Sequence, residues 1–410
     1  MNKKSVDHLD VTSRRVLVRL DLNVPLDEGR ITDDRRIQAA LPTIRKLIEG
    51  RGRLVLMSHL GRPTGDPATD AKLTLAPVAD RLSQLLGRPV KLAPACVGPG
   101  IEQIVNELAD GDVCLLENLR FNTAETIKDQ KAADDPPLRE AKDDFARRLA
   151  GLADVYVNDA FGTCHRDNAS MLTVPQMMAG RPRVVGYLVQ KELEFLGGAL
   201  AEPARPFVVV LGGAKVSDKI GVIDNLLDRA DTILVGGAMC YTFFAAQGQA
   251  VGQSLVERDY LEQANRLRDK AGDELHLPVD SIVAAEIAEG AATKVCRGAI
   301  PDDLMGLDIG PATIAAYEEV LAGANTVVWN GPMGVFETPP FDAGTRAIAL
   351  ALAQATDRGA VTIIGGGDSA AAVEAAGLAD RMTHISTGGG AALEFLQGKK
   401  FAAIEVLDDA

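Results

Sequence analysis

Residues Phe207–Lys215 read FVVVLGGAK and decide the fold, because they join a fully apolar run to a glycine turn. Near-continuous apolar runs of this length are typical of parallel β-strands that are buried on both faces. Similar runs, each ending in a small or polar loop, recur at 16–20, 54–57, 113–116, 155–157, 232–235, 326–329 and 361–364. Segments with helical spacing, such as 342–355, separate them. This alternation predicts an α/β fold on parallel sheets, with ligands at the carboxyl ends of the strands.

Two sheet domains are predicted from the length of the chain and from a change in its loops. The 410 residues suffice for two to three domains of about 150 residues each. Strand-end loops before about residue 185 are rich in Arg and His, whereas later ones are rich in Gly. Helical spacing over 187–200 indicates a connecting helix. We therefore predict an N-terminal domain over 1–186, a connecting helix over 187–202 and a second domain from 203, with the polar stretch 129–137 as a surface loop.

The composition excludes several classes of protein. The formal net charge is −14, from 43 basic and 57 acidic residues, which argues against binding to nucleic acid or to acidic membranes. No apolar run approaches the ~18 residues that a membrane-spanning helix needs. The five cysteines are dispersed and no signal-peptide pattern is visible, so we expect a cytoplasmic protein with reduced thiols. None of the five histidines has the spacing of a structural zinc site.

Basic side chains gather at the strand ends of the first half. A single arginine there is more often a solvated surface charge, but clustered cations repel one another unless an anion binds. Guanidinium groups match phosphate and carboxylate bidentately. The set predicts an anion-binding face and consists of Arg19, Arg36, His59, Arg62, Arg120 and Arg166, with His165 beside the last. Asp21 and Asn23 would bond a substrate hydroxyl or hold an arginine.

The second half offers glycine loops that suit phosphate binding. After the strand ending at Leu211, Gly212 and Gly213 let backbone N–H groups approach an anion at a helix N-terminus. Lys215 and Lys219 are four residues apart, so a helical turn would place both on one face. The spacing fits neither GxxxxGK[ST] nor GxGxxG. Taken alone, the loop is equally typical of a tight strand–helix turn.

Two further glycine triplets, at 365–367 and 388–390, precede predicted helices and favour phosphate binding. Asp368 would either cap its helix or supply a hard oxygen ligand for Mg²⁺ on nucleotide phosphates. Glu337 would accept from ribose hydroxyls, or be an exposed acid. A hydrolase is disfavoured because the chain has no GxSxG elbow and no cysteine in a nucleophile's sequence context.

Ten motifs occur in order over nearly the whole chain. They are Arg19–Pro25, Asp34–Ile37, Ser58–Pro63, Glu117–Phe121, Asp159–Arg166, Gly212–Lys219, Met305–Pro311, Trp329–Glu337, Gly365–Ser369 and Thr387–Ala391. Together they resemble the phosphoglycerate kinase family. The resemblance implies two Rossmann-like three-layer αβα domains, with parallel sheets facing each other across a hinged cleft. It places the nucleotide domain at 203–392 and a tail, 393–410, on the N-terminal domain. It also implies a monomer that transfers a phosphoryl group, with Mg²⁺, between 1,3-bisphosphoglycerate and ADP, giving 3-phosphoglycerate and ATP.

The resemblance also assigns roles to individual residues. The carboxyl or acyl-phosphate end of the substrate would be held by Asp21, Asn23 and Arg36, and its far phosphate by His59, Arg62, Arg120 and Arg166. The phosphoryl group in flight would be steadied by Arg36, Lys215 and Lys219, with the amides of Gly366, Gly367, Gly388 and Gly389. The nucleotide would be contacted by Gly306, Glu337 and Ser369, and the metal by Asp368.

The chain departs from the family pattern at a few positions. Cys164 replaces a small residue, Leu304 a common Trp, and Ser369 a Thr whose hydroxyl it keeps. Asp167 and Asn168 follow Arg166, and the charge of Asp167 is expected to weaken the phosphate site slightly. Two alternatives stay open: a kinase of the same scaffold for another small carboxylate, and a non-catalytic module that binds an anion. The second leaves the lysines and the metal ligand without a role.

Overall fold

The apolar runs of the sequence form buried strands, which gather in two separate parallel sheets. The computed structural model describes residues 2–410 of the chain, apart from the side chain of Pro67. The chain divides into unit 1, Met1–Glu194 with Lys400–Ala410, and unit 2, Phe195–Lys399. Each unit has a sheet of its own.

The strands of unit 1 are β1 (Arg15–Leu20), β2 (Leu26–Asp27), β3 (Arg30–Ile31), β4 (Arg53–Met57), β5 (Val90–Leu92), β6 (Val113–Leu115), β7 (Val155–Asp159) and β8 (Arg183–Val185). Within the described residues, six of them form a parallel sheet in the order β5-β6-β4-β1-β7-β8. Strands β2 and β3 pair as a small antiparallel ribbon. In the register of the sheet, Arg19 lies beside Met57 and Leu20 beside Asp159. The neighbouring strands therefore end at one edge, and the loops that follow them meet there.

The strands of unit 2 are β9 (Phe207–Leu211), β10 (Thr232–Val235), β11 (Leu275–His276), β12 (Ser281–Ala284), β13 (Lys294–Cys296), β14 (Met305–Ile309), β15 (Thr326–Asn330), β16 (Val361–Gly365) and β17 (His384–Ile385). The parallel sheet has the order β11-β10-β9-β15-β16-β17. Strands β13, β12 and β14 form a separate antiparallel sheet. In the central strands β9 and β15 every side chain is buried, as their unbroken apolar sequences require.

Helices connect the strands. They are α1 (Arg35–Glu49), α2 (Pro67–Asp70), α3 (Ala76–Leu86), α4 (Pro99–Asn106), α5 (Asp129–Ala133), α6 (Pro136–Gly151), α7 (Val174–Met177), α8 (Tyr187–Ala201), α9 (Ile220–Leu226), α10 (Met239–Ala246), α11 (Leu261–Ala271), α12 (Pro311–Ala322), α13 (Ala343–Asp357), α14 (Gly367–Ala375), α15 (Gly390–Leu396) and α16 (Ala402–Glu405). No helix among residues 2–410 combines the length and the apolar character that crossing a membrane requires.

Helix α8 begins on unit 1 and is held there by side chains of the sheet and of α1. The Oδ1 atom of Asp159 accepts the N–H groups of Leu188 and Val189 at 2.8 and 3.2 Å. The N–H of Tyr187 donates to Thr43 Oγ1 at 2.9 Å. The first turn of a helix leaves such N–H groups without intrahelical partners, so these oxygens complete it.

The predicted α/β fold with two parallel sheets is confirmed, and every apolar run quoted above forms a strand within one or two residues of its expected bounds. The prediction of a surface loop over 129–137 was wrong, because this stretch holds α5 and the start of α6. Asp135 caps α6 by accepting the N–H of Leu138 at 3.1 Å, so the polar residues serve as a helix cap. The antiparallel sheet of unit 2 was not predicted.

Candidate active site

Five basic side chains of unit 1 come together at the carboxyl edge of its sheet. Arg36 lies in the first turn of α1, while His59 and Arg62 follow β4. Arg120 sits on a 3-10 turn after β6, and Arg166 lies beyond the 3-10 turn that follows β7. Because β6, β4, β1 and β7 are successive neighbours in the sheet, their loops adjoin. The topology thus brings together residues spread over more than a hundred positions of sequence.

The cluster is electrostatically strained without an anion. His59 is only 4% exposed, and burial, followed by the charges of Arg19, Arg120, Arg166 and Arg36, holds the pKa of its imidazole well below the usual value. Burial also lowers the pKa of Arg120 to about 10, and neighbouring arginines act in the same direction. The Nε atom of Arg120 is buried and has no hydrogen-bond partner within the described residues. A bound anion would relieve the repulsion.

Asp21 and Asn23 tie the loops of this edge together. The carboxylate of Asp21 accepts a hydrogen bond from Nη1 of Arg36, which is one of the two roles that the sequence left open. Asn23 Oδ1 accepts the N–H of Gly61 at 2.8 Å, and the carbonyl of Gly61 accepts from Arg120 Nη1 at 2.5 Å. The residues after β1 therefore fix both the α1 arginine and the loop that bears Arg62.

Arg19 does not belong to the exposed face that the sequence predicted. Its side chain is fully buried, and its guanidinium donates to the carbonyl of Leu20, to Ser170 Oγ at 3.0 Å and to His59 Nδ1 at 3.2 Å. The expectation that Arg19 binds an anion directly was wrong. Arg19 lies inside β1, a strand buried on both faces, whereas Arg36 lies in α1 and the other four lie in segments that follow β4, β6 and β7.

The two departures beside Arg166 have structural partners. The Oδ2 atom of Asp167 accepts the N–H of Asp129 at 2.6 Å, and its carbonyl accepts from the buried Lys142 Nζ at 2.6 Å. The carboxylate of Asp167 is thus engaged by the backbone at the start of α5, while Lys142 forms its ion pair with Asp129. Cys164 is buried and donates to the carbonyl of Ala160 at 3.5 Å. Burial raises the pKa of this thiol, which disfavours the thiolate form that a nucleophile needs.

In unit 2, the glycine loops line one cavity of about 410 Å³. Its walls come from the ends of β9, β15 and β16 and from the starts of α14 and α15. The lining residues are Gly212, Gly213, Ala214, Lys215, Asp218, Lys219, Asn330, Gly331, Pro332, Gly366, Gly367, Asp368, Ser369, Gly389, Gly390 and Leu393. Two helix N-termini and two lysines favour an anionic ligand here.

The two lysines of the cavity differ in their surroundings. Lys215 is exposed, whereas Lys219 is 8% exposed and donates to Asn330 Oδ1. Burial lowers the pKa of Lys219 to about 8, against the nearby carboxylates of Asp218 and Asp368. The two lysines would share a face only if their turn were helical, and that condition is not met, because α9 begins only at Ile220. A loop brings both to the cavity.

Glycine is required where backbones meet beneath the cavity. A Cβ on Gly212 would lie 2.1 Å from the carbonyl oxygen of Pro332, and one on Gly237 would lie 2.5 Å from the N atom of Gly213. Gly237 also has a φ of +64°, which residues with a side chain rarely adopt. The sequence suggested backbone approach to a ligand; here the glycines also let three loops pack directly on one another.

Asp368 and Ser369 begin helix α14 but have different partners. Asp368 is exposed to the cavity, two positions after the N-cap residue Gly366, so it does not cap the helix. Ser369 is fully buried, and its Oγ accepts the N–H of Gly331 at 2.7 Å. One carboxylate that faces this cavity fits a Mg²⁺ ion, which usually takes one or two protein carboxylates and completes its shell with phosphate and water. Among residues 2–410 there is no cluster of three or more metal-ligating side chains.

Gly306 and Glu337 lie outside the residues that line this cavity. Gly306 is buried in β14, where a Cβ would lie 2.0 Å from the Tyr241 ring. Glu337 is exposed in the loop that leads from β15 towards α13. Buried Asp308 connects these parts, since its carboxylate accepts the N–H of Gly344 at 2.7 Å, and burial raises its pKa to about 7.

Two residues that support the lysine loop were not predicted from the sequence. Glu257 accepts both the N–H and the hydroxyl of Ser217, at 2.9 and 2.6 Å, and so anchors the loop between the lysines. Asn330 receives the buried Lys219 ammonium. A glutamate 40 residues downstream of its partner carries no sequence signal. Asn330 had one, since it ends the TVVWN strand at the ligand edge.

Comparison with known proteins identifies the family. The family model for phosphoglycerate kinase matches residues 6–399. A phosphoglycerate kinase of Rhodopirellula baltica is 53% identical, and one of Chlorobium limicola is 54% identical, with both chains covered in full. This chain belongs to the phosphoglycerate kinase family. The solved phosphoglycerate kinases of Coxiella burnetii and Pyrococcus horikoshii superpose with TM-scores of 0.85 and 0.82, at 40% and 32% identity, over at least 98% of each chain.

The family membership fixes the reaction. The chain is a glycolytic phosphotransferase that moves a phosphoryl group between 1,3-bisphosphoglycerate and ADP, giving 3-phosphoglycerate and ATP. Phosphoglycerate and a nucleotide are its substrates. The prediction of this family from ten motifs is confirmed, and the two alternatives, a different carboxylate kinase and a non-catalytic module, are set aside.

Proposed function

We propose that the basic edge of unit 1 binds phosphoglycerate and that the cavity of unit 2 binds the nucleotide. Support comes from the match between charge and ligand: clustered guanidinium groups suit a small anion with two acidic ends, and glycine loops at helix N-termini suit a phosphate chain. This assignment gives the domains 1–186 and 203–392 their separate substrates. The observation that carries it is that unit 1 holds an arginine cluster and unit 2 holds a cavity lined by Asp368 and two lysines.

The residues of unit 1 divide by the end of the substrate they hold. Asp21 and Asn23 position Arg36 and the adjoining loop, so this group takes the carboxyl or acyl-phosphate end. The far phosphate is taken by His59, Arg62, Arg120 and Arg166. The guanidinium of Arg120 carries further N–H donors beyond the one that the Gly61 carbonyl accepts, and these suit that phosphate.

The transferring group needs charge compensation more than covalent chemistry. Lys215 and Lys219 supply two cations on the nucleotide side, and Arg36 supplies one on the phosphoglycerate side. The amides of Gly366, Gly367 and Gly389 supply donors for the equatorial oxygens, whereas the N–H of Gly388, also expected from the sequence, is held by Ser386 Oγ at 3.1 Å. Gly306 and Glu337 contact the nucleoside. In-line transfer requires the two substrates to meet away from water, so we propose a hinge-bending closure of the two domains.

Magnesium is the proposed cofactor, carried with ATP or ADP, and Asp368 is its protein ligand. When bound, the ion neutralises phosphate charge. Ser369 supports the same loop through its bond to the Gly331 N–H. We further propose that the enzyme works as a cytoplasmic monomer, without nucleic-acid or membrane partners.

The direct test is a coupled assay of purified protein with 3-phosphoglycerate, ATP and Mg²⁺, which follows NADH loss through glyceraldehyde-phosphate dehydrogenase. Arg36→Ala should lower kcat about a hundredfold or more and leave the KM for ATP within a few-fold, because Arg36 acts on the charge of the transition state. Arg45→Ala is the matched control, since Arg45 lies on the same helix and bonds only the carbonyl of Leu85. An unchanged kcat for Arg36→Ala would contradict the role.

Asp368→Asn tests the metal ligand in the same assay. The Mg²⁺ concentration needed for half-maximal rate should rise about tenfold or more, because one charged oxygen ligand becomes neutral. A Mg²⁺ dependence equal to that of the wild type would remove Asp368 from the metal site.

A further inference from the structure

A continuous chain of hydrogen bonds runs beneath the basic edge of unit 1. Glu125 Oε1 lies 2.6 Å from Ser170 Oγ, Ser170 Oγ lies 3.0 Å from Arg19 Nε, and Arg19 Nη2 lies 3.2 Å from His59 Nδ1. Glu125, Ser170 and Arg19 are fully buried, and His59 is 4% exposed. Arg19 and Glu125 are therefore ionisable groups set inside the protein behind a ligand-facing histidine.

The chemistry of the donors fixes the direction of every bond. Arginine has only N–H donors and an ionised carboxylate has only acceptors. Ser170 therefore accepts from Arg19 and gives its own hydroxyl proton to Glu125. At the other end, Arg19 donates to His59, so the Nδ1 atom of that imidazole must present a lone pair. The remaining ring proton can only be on Nε2.

We propose that Glu125, Ser170 and Arg19 are positioning residues that lock His59 in its Nε2–H tautomer, so that Nε2 donates to the far phosphate of phosphoglycerate. This rests on the proposed function, in which His59 contacts that phosphate. The chain makes His59 a fixed neutral donor among arginines. Its neutrality agrees with the low pKa imposed by burial and by the charges of Arg19, Arg120, Arg166 and Arg36.

The same series of hydrogen bonds connects the loops that carry two of the phosphate-binding arginines. Glu125 lies on the 3-10 turn Thr123–Thr126, directly after the turn of Arg120. Its other oxygen accepts the N–H of Ser170 at 2.9 Å, in the π-helical turn Ala169–Thr173 that follows Arg166. A buried carboxylate here also offsets the buried guanidinium, which would otherwise be costly. One network thus sets both the proton on His59 and the spacing of its neighbours.

The tautomer is measured directly by ¹H–¹⁵N correlation of the imidazole nitrogens in the wild-type protein. The chain has five histidines, and His59→Gln assigns the signal. We expect a protonated nitrogen at Nε2 and a bare nitrogen at Nδ1, from pH 6 to 8. A proton on Nδ1, or on both nitrogens, in this range would overturn the proposal, and the variant His59→Gln serves only to assign the signal.

Ser170→Ala removes the central member of this series of hydrogen bonds. The KM for 3-phosphoglycerate should rise about ten- to hundredfold, as for one lost hydrogen bond to a charged group, while the KM for ATP stays unchanged. The signal of His59 should then show both tautomers. Ser83→Ala is the matched control, because Ser83 Oγ likewise donates one hydrogen bond, to the carbonyl of Ala79, and accepts one, from the N–H of Val90. It should leave both KM values and the His59 signal unchanged.

Arg19→Lys gives a second reading if Ser170→Ala folds poorly. Lysine keeps the charge but offers a single nitrogen, so it cannot bond Ser170 and His59 with the geometry of the guanidinium fork. Mixed tautomers with a raised KM for 3-phosphoglycerate alone support the proposal. Equal changes in both KM values, or an unchanged His59 signal, overturn it. Absence of turnover in the wild-type protein would contradict the proposed function instead. The tautomer measurement does not depend on turnover, so it distinguishes failure of the tautomer proposal from failure of the proposed function.

Discussion

Lys219→Met should remove activity and yet stabilise unit 2. Lys219 is 8% exposed and must hold a positive charge in a cavity without a bound anion, and burial lowers its pKa from 10.5 to about 8. At about 1.4 kcal/mol per pKa unit, this gap places the cost of the buried charge at roughly 3 kcal/mol. Loss of the bond to Asn330 costs about 1 kcal/mol. The net gain is therefore about 2 kcal/mol at pH 7, or about 4 to 8 °C in the melting temperature of a unit this size.

The pKa of Lys219 also predicts how the stability difference between the two proteins changes with pH. Between the folded pKa of about 8 and the ordinary value of 10.5, the unfolded chain holds the lysine proton and the folded chain does not, so stability of the wild type rises with pH. The advantage of Lys219→Met should be full below pH 8 and disappear as pH approaches 10.5. Methionine is close to lysine in size, so the comparison isolates the charge.

The assay is thermal or urea unfolding of both proteins at pH 7, 8, 9 and 10, in the absence of nucleotide. Lys215→Met is the control, because Lys215 lines the same cavity but is exposed, and its stability should stay within about 0.5 kcal/mol of the wild type. A variant that is less stable than wild type at pH 7, or a difference that does not shrink with pH, would refute the reasoning. Saturating Mg-ATP should reverse the order, since only the wild type retains both cations.

Two further substitutions test the packing that supports the sites. Gly212→Ala should destabilise unit 2 by about 1 to 3 kcal/mol, because the added Cβ would lie 2.1 Å from the Pro332 carbonyl. Gly197→Ala, which has open space around its Cβ, is the control in the same urea titration. Equal unfolding midpoints for the two variants would contradict the close approach at Gly212. Asp408→Ala should destabilise unit 1 by about 1 to 2 kcal/mol, because Asp408 bonds the Arg183 N–H and guanidinium at 2.9 and 3.0 Å. A shift confined to the unfolding of unit 2 would argue against the placement of the tail.

Local sequence patterns were enough to predict most of the fold. The unbroken run FVVVL at 207–211 predicted a two-face buried strand because nothing polar in it could face water, and the structure buries all five side chains. The polar run 129–137 was predicted wrongly because Asp and Lys are common both in loops and at helix starts. The hydrogen bond that distinguishes the two, from the N–H of Leu138 to Asp135, involves a residue beyond the end of the run. The short strands β12–β14 lacked an apolar run long enough to distinguish them from loops.

The sequence alone determined the two-sheet α/β architecture, the family and the residue types that bind anions, because these depend on periodicity and on ordered motifs. Only the tertiary structure decided which charges reach solvent. Arg19 looks like Arg36 in the sequence, yet the register of β1 buries it against Ser170 and His59. Lys219 likewise resembles Lys215 but is enclosed. Burial and hydrogen bonding depend on chain segments that lie 40 to 151 residues away, and the local sequence does not specify those contacts.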